Sequence, residues 1–260
     1  MRAKKSLGQN FLNDLKVLEK ITDVTPIKGK NILEIGPGTG NLTSFILKKK
    51  PNKFIVIEKD ERLIKILKDK FKDKIIIYNE DILKIDETSL LNEKFTVFGN
   101  LPYNISTEIL VKWILNLKDI FWFEFLVLMF QKEVADRIIS KFNTSTYGRL
   151  SIISNWKLNV EKICDIEPKS FIPKPKIDSS LLFFTPKKNF YNLKDPKNLE
   201  KITKIFFNHR RKMLKKPFNQ LFNNNQTVLD KLNIDLSLRP QNLNFETYYK
   251  LTAEYEKLNC

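Results

Sequence analysis

Asn31-Ile32-Leu33-Glu34-Ile35, followed at once by Gly36-Pro37-Gly38-Thr39-Gly40, constrains the fold more than any other stretch of the chain. The apolar run is too short for a buried helix and is bounded by glycine and proline, so it reads as a buried strand. The alternating glycines let backbone come close to a ligand. Residues 41–49 then read as a helix. Strand, glycine loop and helix in that order open an α/β sheet, whose ligands bind at the carboxyl ends of the strands.

The ligand can be narrowed from the loop itself. Its spacing is Gly-x-Gly-x-Gly, whereas dinucleotide folds place Gly-x-Gly-x-x-Gly at a helix N-terminus for a pyrophosphate. Glu34, just before the loop, reads as a charge that would repel phosphate and suit a positively charged or hydroxyl-rich ligand. An adenosine carrying a sulfonium and an amino-acid tail fits better than a dinucleotide.

Three further strand ends agree. Residues 54–57 lead to Glu58, a carboxylate able to accept both hydroxyls of a ribose. Residues 75–78 lead to Glu80-Asp81-Ile82, where Asp81 can accept from an adenine amino group and Ile82 can pack on the ring. Residues 95–98 lead to Gly99-Asn100-Leu101-Pro102-Tyr103-Asn104. A purine exocyclic amine is a poor nucleophile because its lone pair is delocalised into the ring. The Asn100 side-chain oxygen and a backbone carbonyl of the Leu101-Pro102 step can each accept one of its N–H groups, making the lone pair available, while Tyr103 offers a flat face to an extruded base.

Downstream, Ser106 opens a helix with Ile109, Leu110, Trp113 and Ile114 facing inward, residues 121–130 read as a long aromatic strand, and helices open near Gln131 and Tyr147. Prolines stiffen the loop 170–179, where Phe171 could be an exposed aromatic closing over the second face of a base, or could be tucked beneath the loop. Lys174 and Lys176 flank it for phosphates. A polar linker at 187–197 precedes a tail expected to be helical at about 198–215, 218–222, 227–233 and 245–257.

Charge is unevenly spread. The chain has a formal net charge of +16, and residues 187–260 carry 15 Lys and Arg against 7 Asp and Glu. Arg210, Arg211, Lys212, Lys215 and Lys216 make the densest block, suited to a polyanion; a Lys-rich composition with a solvated face is the plainer reading. Two cysteines and one histidine exclude a disulfide framework and a metal site built from several His or Cys ligands. No run of 18 apolar residues occurs, and the chain reads as cytoplasmic.

Taken together, Gly8-Gln9-Asn10-Phe11-Leu12, Glu34 to Gly40, Glu58, Glu80-Asp81, the nine residues Gly99 to Thr107, and Pro173-Lys174-Pro175-Lys176-Ile177-Asp178-Ser179 closely resemble the ribosomal RNA adenine dimethyltransferases over nearly the whole chain. The resemblance implies a Rossmann-like S-adenosylmethionine-dependent methyltransferase sheet in residues 1–187 and a small all-α, basic RNA-binding domain in 188–260. It implies cofactor contacts at Asn10, Leu12, Gly36, Glu58, Asp81 and Asn100. With the residue reading above, Gly38 and Ile82 complete the expected cofactor site, Asn100, Leu101, Pro102, Tyr103 and Phe171 make up the expected catalytic site, and no metal is expected. Within the family, Ile177-Asp178-Ser179 and Arg210-Arg211-Lys212 resemble the small-subunit branch, which dimethylates two adjacent adenosines in a hairpin near the 3′ end of that RNA. Ribosomal RNA, within an assembling small subunit, is then the expected partner of a monomer that needs no membrane. The alternatives are a large-subunit methyltransferase of the macrolide-resistance kind, a non-catalytic nucleic-acid binder, and a dinucleotide oxidoreductase.

Overall fold

A computed structural model describes residues 4, 8–90, 93–117 and 120–259; Arg2 and Lys5, basic residues near the start of the sequence, lie outside them. Nine strands are present among the described residues: β1 Phe11–Leu12, β2 Asn31–Ile35, β3 Lys53–Ile57, β4 Ile76–Tyr78, β5 Phe95–Asn100, β6 Phe123–Gln131, β7 Leu158–Ile166, β8 Phe171–Ile172 and β9 Ser179–Pro186. Seven form one sheet in the order β4-β3-β2-β5-β6-β9-β7, and β1 and β8 form a separate antiparallel ribbon. From β4 to β6 the neighbours run parallel; β9 returns antiparallel to β6.

Strand order reverses at β2, which is flanked by β3 on one side and β5 on the other. At such a reversal the loops leaving adjacent strands diverge and leave a crevice. Ile35 registers with Gly99, so the glycine loop and the Asn-Leu-Pro-Tyr turn leave the sheet side by side. The central strands β2, β3, β5 and β6 are buried on both faces, as parallel strands covered by helices must be: Ile32, Leu33, Val56, Val97, Phe98, Val127 and Leu128 are each 2% exposed or less.

The expected helices form with local signals that explain their ends. Asp14 caps Leu15–Thr22, its carboxylate accepting from Lys16 N and Val17 N, and Asp60 caps Glu61–Phe71, accepting from Arg62 N. Gly40, at φ +75°, precedes Asn41–Lys48; a Cβ there would collide with the Phe71 ring, so the loop needs glycine for both conformation and space.

The chain divides into two compact units. The first comprises 1–112, 117–135 and 160–186; the second comprises 113–116, 136–159 and 187–260. The second unit therefore includes the helix Arg149–Lys157 together with residues 187–260. Within that unit the Tyr249 hydroxyl donates to the Ile152 carbonyl at 2.9 Å, Trp156 Nε1 donates to the Tyr191 carbonyl at 2.8 Å, and Tyr147 packs against Phe207 and Phe245. Glu256, 3% exposed, accepts the backbone N–H groups of Lys194 and Asp195 at 2.9 Å each, just ahead of the helix Pro196–Asn208.

That helix stops at Asn208 and does not reach 215. A turn closed by Lys212 N donating to the His209 carbonyl (2.8 Å) separates it from Lys215–Phe222. Pro217 supplies the reason. It has no N–H to give to a carbonyl four residues earlier, so it is tolerated only in a helix's first turn, and a new helix has to begin just before it.

Candidate active site

The loops at the reversal enclose a cavity lined by the glycine loop, the ends of β3, β4 and β5, and the N-terminal residues 8–12. Asn10, Leu12, Gly36, Gly38, Glu58, Asp81, Ile82, Asn100, Leu101, Pro102 and Tyr103 all contribute to its wall. The sequence expectations therefore converge on one place, with the exceptions below.

Glu58 is 8% exposed and accepts from Gly38 N (3.3 Å) and Asp60 N (2.9 Å). Burial pushes its carboxyl pKa up, and these backbone donors oppose that push. Asp81 pairs through Oδ2 with Lys59 at 2.7 Å, and its Oδ1 accepts from Leu83 N at 3.1 Å; the Lys59 ammonium holds its carboxyl below the usual range. Asn100 Nδ2 donates to the Asn10 carbonyl at 2.8 Å. An amide whose nitrogen is committed in this way has its oxygen turned to the other side.

Pro102 and Tyr103 already use their carbonyls locally, accepting from Ile105 N (3.1 Å) and Ser106 Oγ (3.3 Å). Of the Leu101-Pro102 step, the Leu101 carbonyl is thus the better acceptor for a substrate amine. The hydroxyls of Tyr103 and Ser179 share a hydrogen bond of 2.6 Å.

Three expectations need correction. Phe171 is not an exposed aromatic: it is 2% exposed, because β8 pairs with β1 and Phe171, opposite Leu12, joins the core cluster. Glu34 is not a standing charge beside the glycine loop. It is 2% exposed, its Oε2 accepts from Thr43 Oγ1 at 2.7 Å, and burial pushes its pKa up to about 8, so it is mostly neutral at pH 7 and repels phosphate little. Arg210 is partly engaged within the protein, donating to Gln241 Oε1 at 3.2 Å and to the Ser145 carbonyl, whereas Arg211, Lys212, Lys215 and Lys216 are exposed. Lys174 and Lys176 are exposed.

Sequence reasoning missed how the N-terminal lead is held. Gln9 Nε2 donates to Asp60 Oδ2 at 2.9 Å, Asn41 Nδ2 donates to the Leu12 carbonyl at 2.7 Å, and Ser170 Oγ donates to Asp14 Oδ2 at 3.0 Å. Asp60, 3% exposed, also takes a bidentate pair from Arg62 Nε (3.0 Å) and Nη2 (2.6 Å), which holds its carboxyl well below the usual range. Its position as a helix cap was the one available signal.

The cavity suits a nucleoside with a charged tail. Gly36, at φ +64°, leaves open the gap toward the Asn100 loop that a Cβ would begin to fill, 3.9 Å from the Asn100 carbonyl. Carboxylates at Glu58 and Asp81 provide acceptors for hydroxyls and an amine, and apolar walls come from Leu12, Ile57 and Ile82. Among the described residues no cluster of three or more His, Cys, Asp or Glu could hold a metal ion, and no helix is long and apolar enough to cross a membrane.

Comparison with known proteins agrees with the geometry. The family described as ribosomal RNA adenine dimethylase matches residues 1–257. Ribosomal RNA small subunit methyltransferase A of Pelagibacter ubique is 67% identical over 258 residues, 99% of this chain and 98% of that protein. The protein of the same name from Wolbachia sp. subsp. Drosophila simulans is 39% identical over 100% of this chain and 96% of its own. Among solved structures, a dimethyladenosine transferase from Plasmodium falciparum superposes with a TM-score of 0.81 at 29% identity, covering 96% of this chain and 98% of that one. With a Rossmann-like methyltransferase sheet, a cavity suited to S-adenosyl-L-methionine and a match of this extent, the chain belongs to the ribosomal RNA adenine dimethylase family.

Proposed function

We propose that this enzyme dimethylates the N6 amines of two adjacent adenosines in a hairpin near the 3′ end of small-subunit ribosomal RNA. The observation carrying this reading is the bond from Asn100 Nδ2 to the Asn10 carbonyl, which leaves Asn100 Oδ1 as a fixed acceptor at the cavity wall. Small-subunit specificity rests on the relatives at 67% and 39% identity, both named for that subunit. They disfavour the large-subunit and non-catalytic alternatives.

S-adenosylmethionine, when bound, supplies an electrophilic methyl group on sulfonium. Glu58 would hold its ribose hydroxyls and Asp81 its adenine amine, while Ile82 and Leu12 would supply apolar wall and Asn10, Gly36 and Gly38 backbone. Asn100 Oδ1 and the Leu101 carbonyl accept the two N–H groups of the target amine, drawing the nitrogen toward tetrahedral geometry, while Tyr103 stacks on the extruded base. Pro102 fixes the turn that presents these groups. Catalysis is then positioning and polarisation for a direct displacement, with no covalent enzyme intermediate. Phe171 contributes by packing the ribbon that holds the N-terminal lead, not by touching the base.

Lys174 and Lys176 in the first unit, and Arg211, Lys212, Lys215 and Lys216 with a smaller part for Arg210 in the second, bind RNA phosphates. In this reading residues 1–187 carry the chemistry and 188–260 grip RNA. The enzyme acts as a cytoplasmic monomer on an assembling small subunit.

The test is to incubate the purified enzyme and S-adenosylmethionine with small- and large-subunit particles from cells lacking the gene, and to map the modified adenosines. Two neighbouring N6,N6-dimethyladenosines near the small-subunit 3′ end are expected. Modification confined to large-subunit RNA, or none at all, would overturn the assignment.

A further inference from the structure

The hydroxyl pair Tyr103–Ser179 joins the turn after β5 to the first residue of β9, 76 positions later in the chain. Each side of Ser179 is independently fixed. The carbonyl of Asp178 accepts from Lys132 N at 2.9 Å, Ser180 Oγ donates to Asp165 Oδ1 at 2.6 Å, and Ser179 itself registers with Gln131 on β6. Ser179 is fully buried, so its hydroxyl has no solvent to turn to. Tyr103, by contrast, sits on a turn with its neighbour Asn104 exposed, and is among the residues lining the cavity. Without a tether the ring would sample several rotamers at the mouth of the site.

We infer that Ser179 is a positioning residue for base recognition: its hydroxyl pins the tip of the Tyr103 ring and so sets the plane on which the target adenine stacks. This rests on the reading of Tyr103 as the stacking surface. Burial raises the Tyr103 pKa, keeping its hydroxyl protonated and able to donate throughout the neutral range. Ser179 also follows directly on the loop bearing Lys174 and Lys176. The same short segment therefore bears two phosphate-binding lysines and the anchor of the stacking ring, which ties backbone recognition to base placement.

A double-mutant cycle tests the inference, using S179A, Y103F and the double variant, with S179T as the conservative replacement and Y103A as the reference for losing the ring. The readouts are kcat at saturating cofactor, and the fluorescence of small-subunit RNA carrying 2-aminopurine at the target position. Because only ring orientation is lost, S179A and Y103F should each lower kcat about tenfold, short of the 10²-fold that a misplacement of about 1 Å can cost. Each should also weaken the stacking quench, the double variant should be no worse than either single, S179T should recover most of the loss, and S-adenosylmethionine affinity should not change. Wild-type kcat and quench in S179A, or losses that multiply in the double variant, would overturn the inference. Should S179A fail to fold, wild-type behaviour of Y103F would overturn it equally. If Y103A itself keeps full turnover and quench, the stacking role of Tyr103 fails first; if Y103A collapses while S179A and Y103F do not, only the positioning role fails.

Discussion

Glu34→Gln isolates the energetic consequence of burying a carboxyl beneath the glycine loop. Glu34 is 2% exposed, receives a hydrogen bond from Thr43, and feels the opposing influences of the Glu58 carboxylate and the Lys70 ammonium. Burial, the largest influence, lifts its pKa from an ordinary 4.5 to about 8. The native state therefore holds a proton that the unfolded chain has already released between those values, and stability falls as pH rises through that window. At about 1.4 kcal/mol per pKa unit, the rise from 4.5 to about 8 is worth roughly 5 kcal/mol between the fully protonated and fully ionised forms. Near pH 7, where the native carboxyl is still mostly protonated, roughly 3 kcal/mol of that stabilisation is already lost. Glutamine keeps the shape and an oxygen for Thr43 but cannot titrate. Urea unfolding of both proteins from pH 4 to 9 checks this. The difference in stability, wild type minus variant, should be flat below about pH 4.5, decline steadily to about pH 8 and level off above it. A difference that stays constant across that range would refute the reasoning, since every other group titrates in both proteins.

Asn100→Ala removes the fixed acceptor and should lower turnover by about 10²-fold or more, on the scale of one lost transition-state hydrogen bond, with a smaller loss of cofactor affinity as the Asn10 carbonyl loses its donor; near-normal turnover in a methyl-transfer assay would discard the role. Glu58→Ala should weaken S-adenosylmethionine binding by about 2–3 kcal/mol, the scale for hydrogen bonds to a charged group, and calorimetry showing unchanged affinity would remove Glu58 from the site. Neutralising Arg211, Lys212 and Lys215 together should make RNA affinity less steeply salt-dependent, by up to about 0.9 in the log–log slope for each phosphate no longer neutralised; an unchanged slope in the folded triple variant would move RNA recognition to Lys174 and Lys176.

The part of the site legible in the sequence was the part written at strand ends. In a parallel sheet the strands are mostly apolar and polar residues gather where they end, so Glu58, Asp81 and Asn100, at or just past the ends of β3, β4 and β5, point to one edge of the sheet. What was not legible depends on interactions without local pattern. The ribbon of β1 and β8 has two residues per strand, too few to show alternation, and Phe171 could not be placed without it. β7 follows the helix Arg149–Lys157 with no intervening turn, so no glycine or proline punctuates its start. Asp60 meets Gln9 across 51 residues, and nothing nearby in sequence signals that reach. Glu34 was seen, but its charge was misjudged because ionisation depends on burial that a sequence does not display.

Glu256 lies 61 residues downstream of Asp195, whose backbone N–H it receives. During synthesis the helix Pro196–Asn208 thus leaves the ribosome long before the carboxylate that completes its N-terminus has been made. The segment 136–159 waits longer still for the helices that cover it. Every pairing of the parallel sheet from β4 to β6, by contrast, joins residues synthesised by position 131. Folding on the ribosome would run from the cofactor-binding sheet to the basic helices, which close around an already translated helix only near the end of translation. A stall between residues 208 and 256 would expose the apolar faces of Phe206, Tyr147 and Trp156, making that interval the one in which a nascent chain most needs a chaperone.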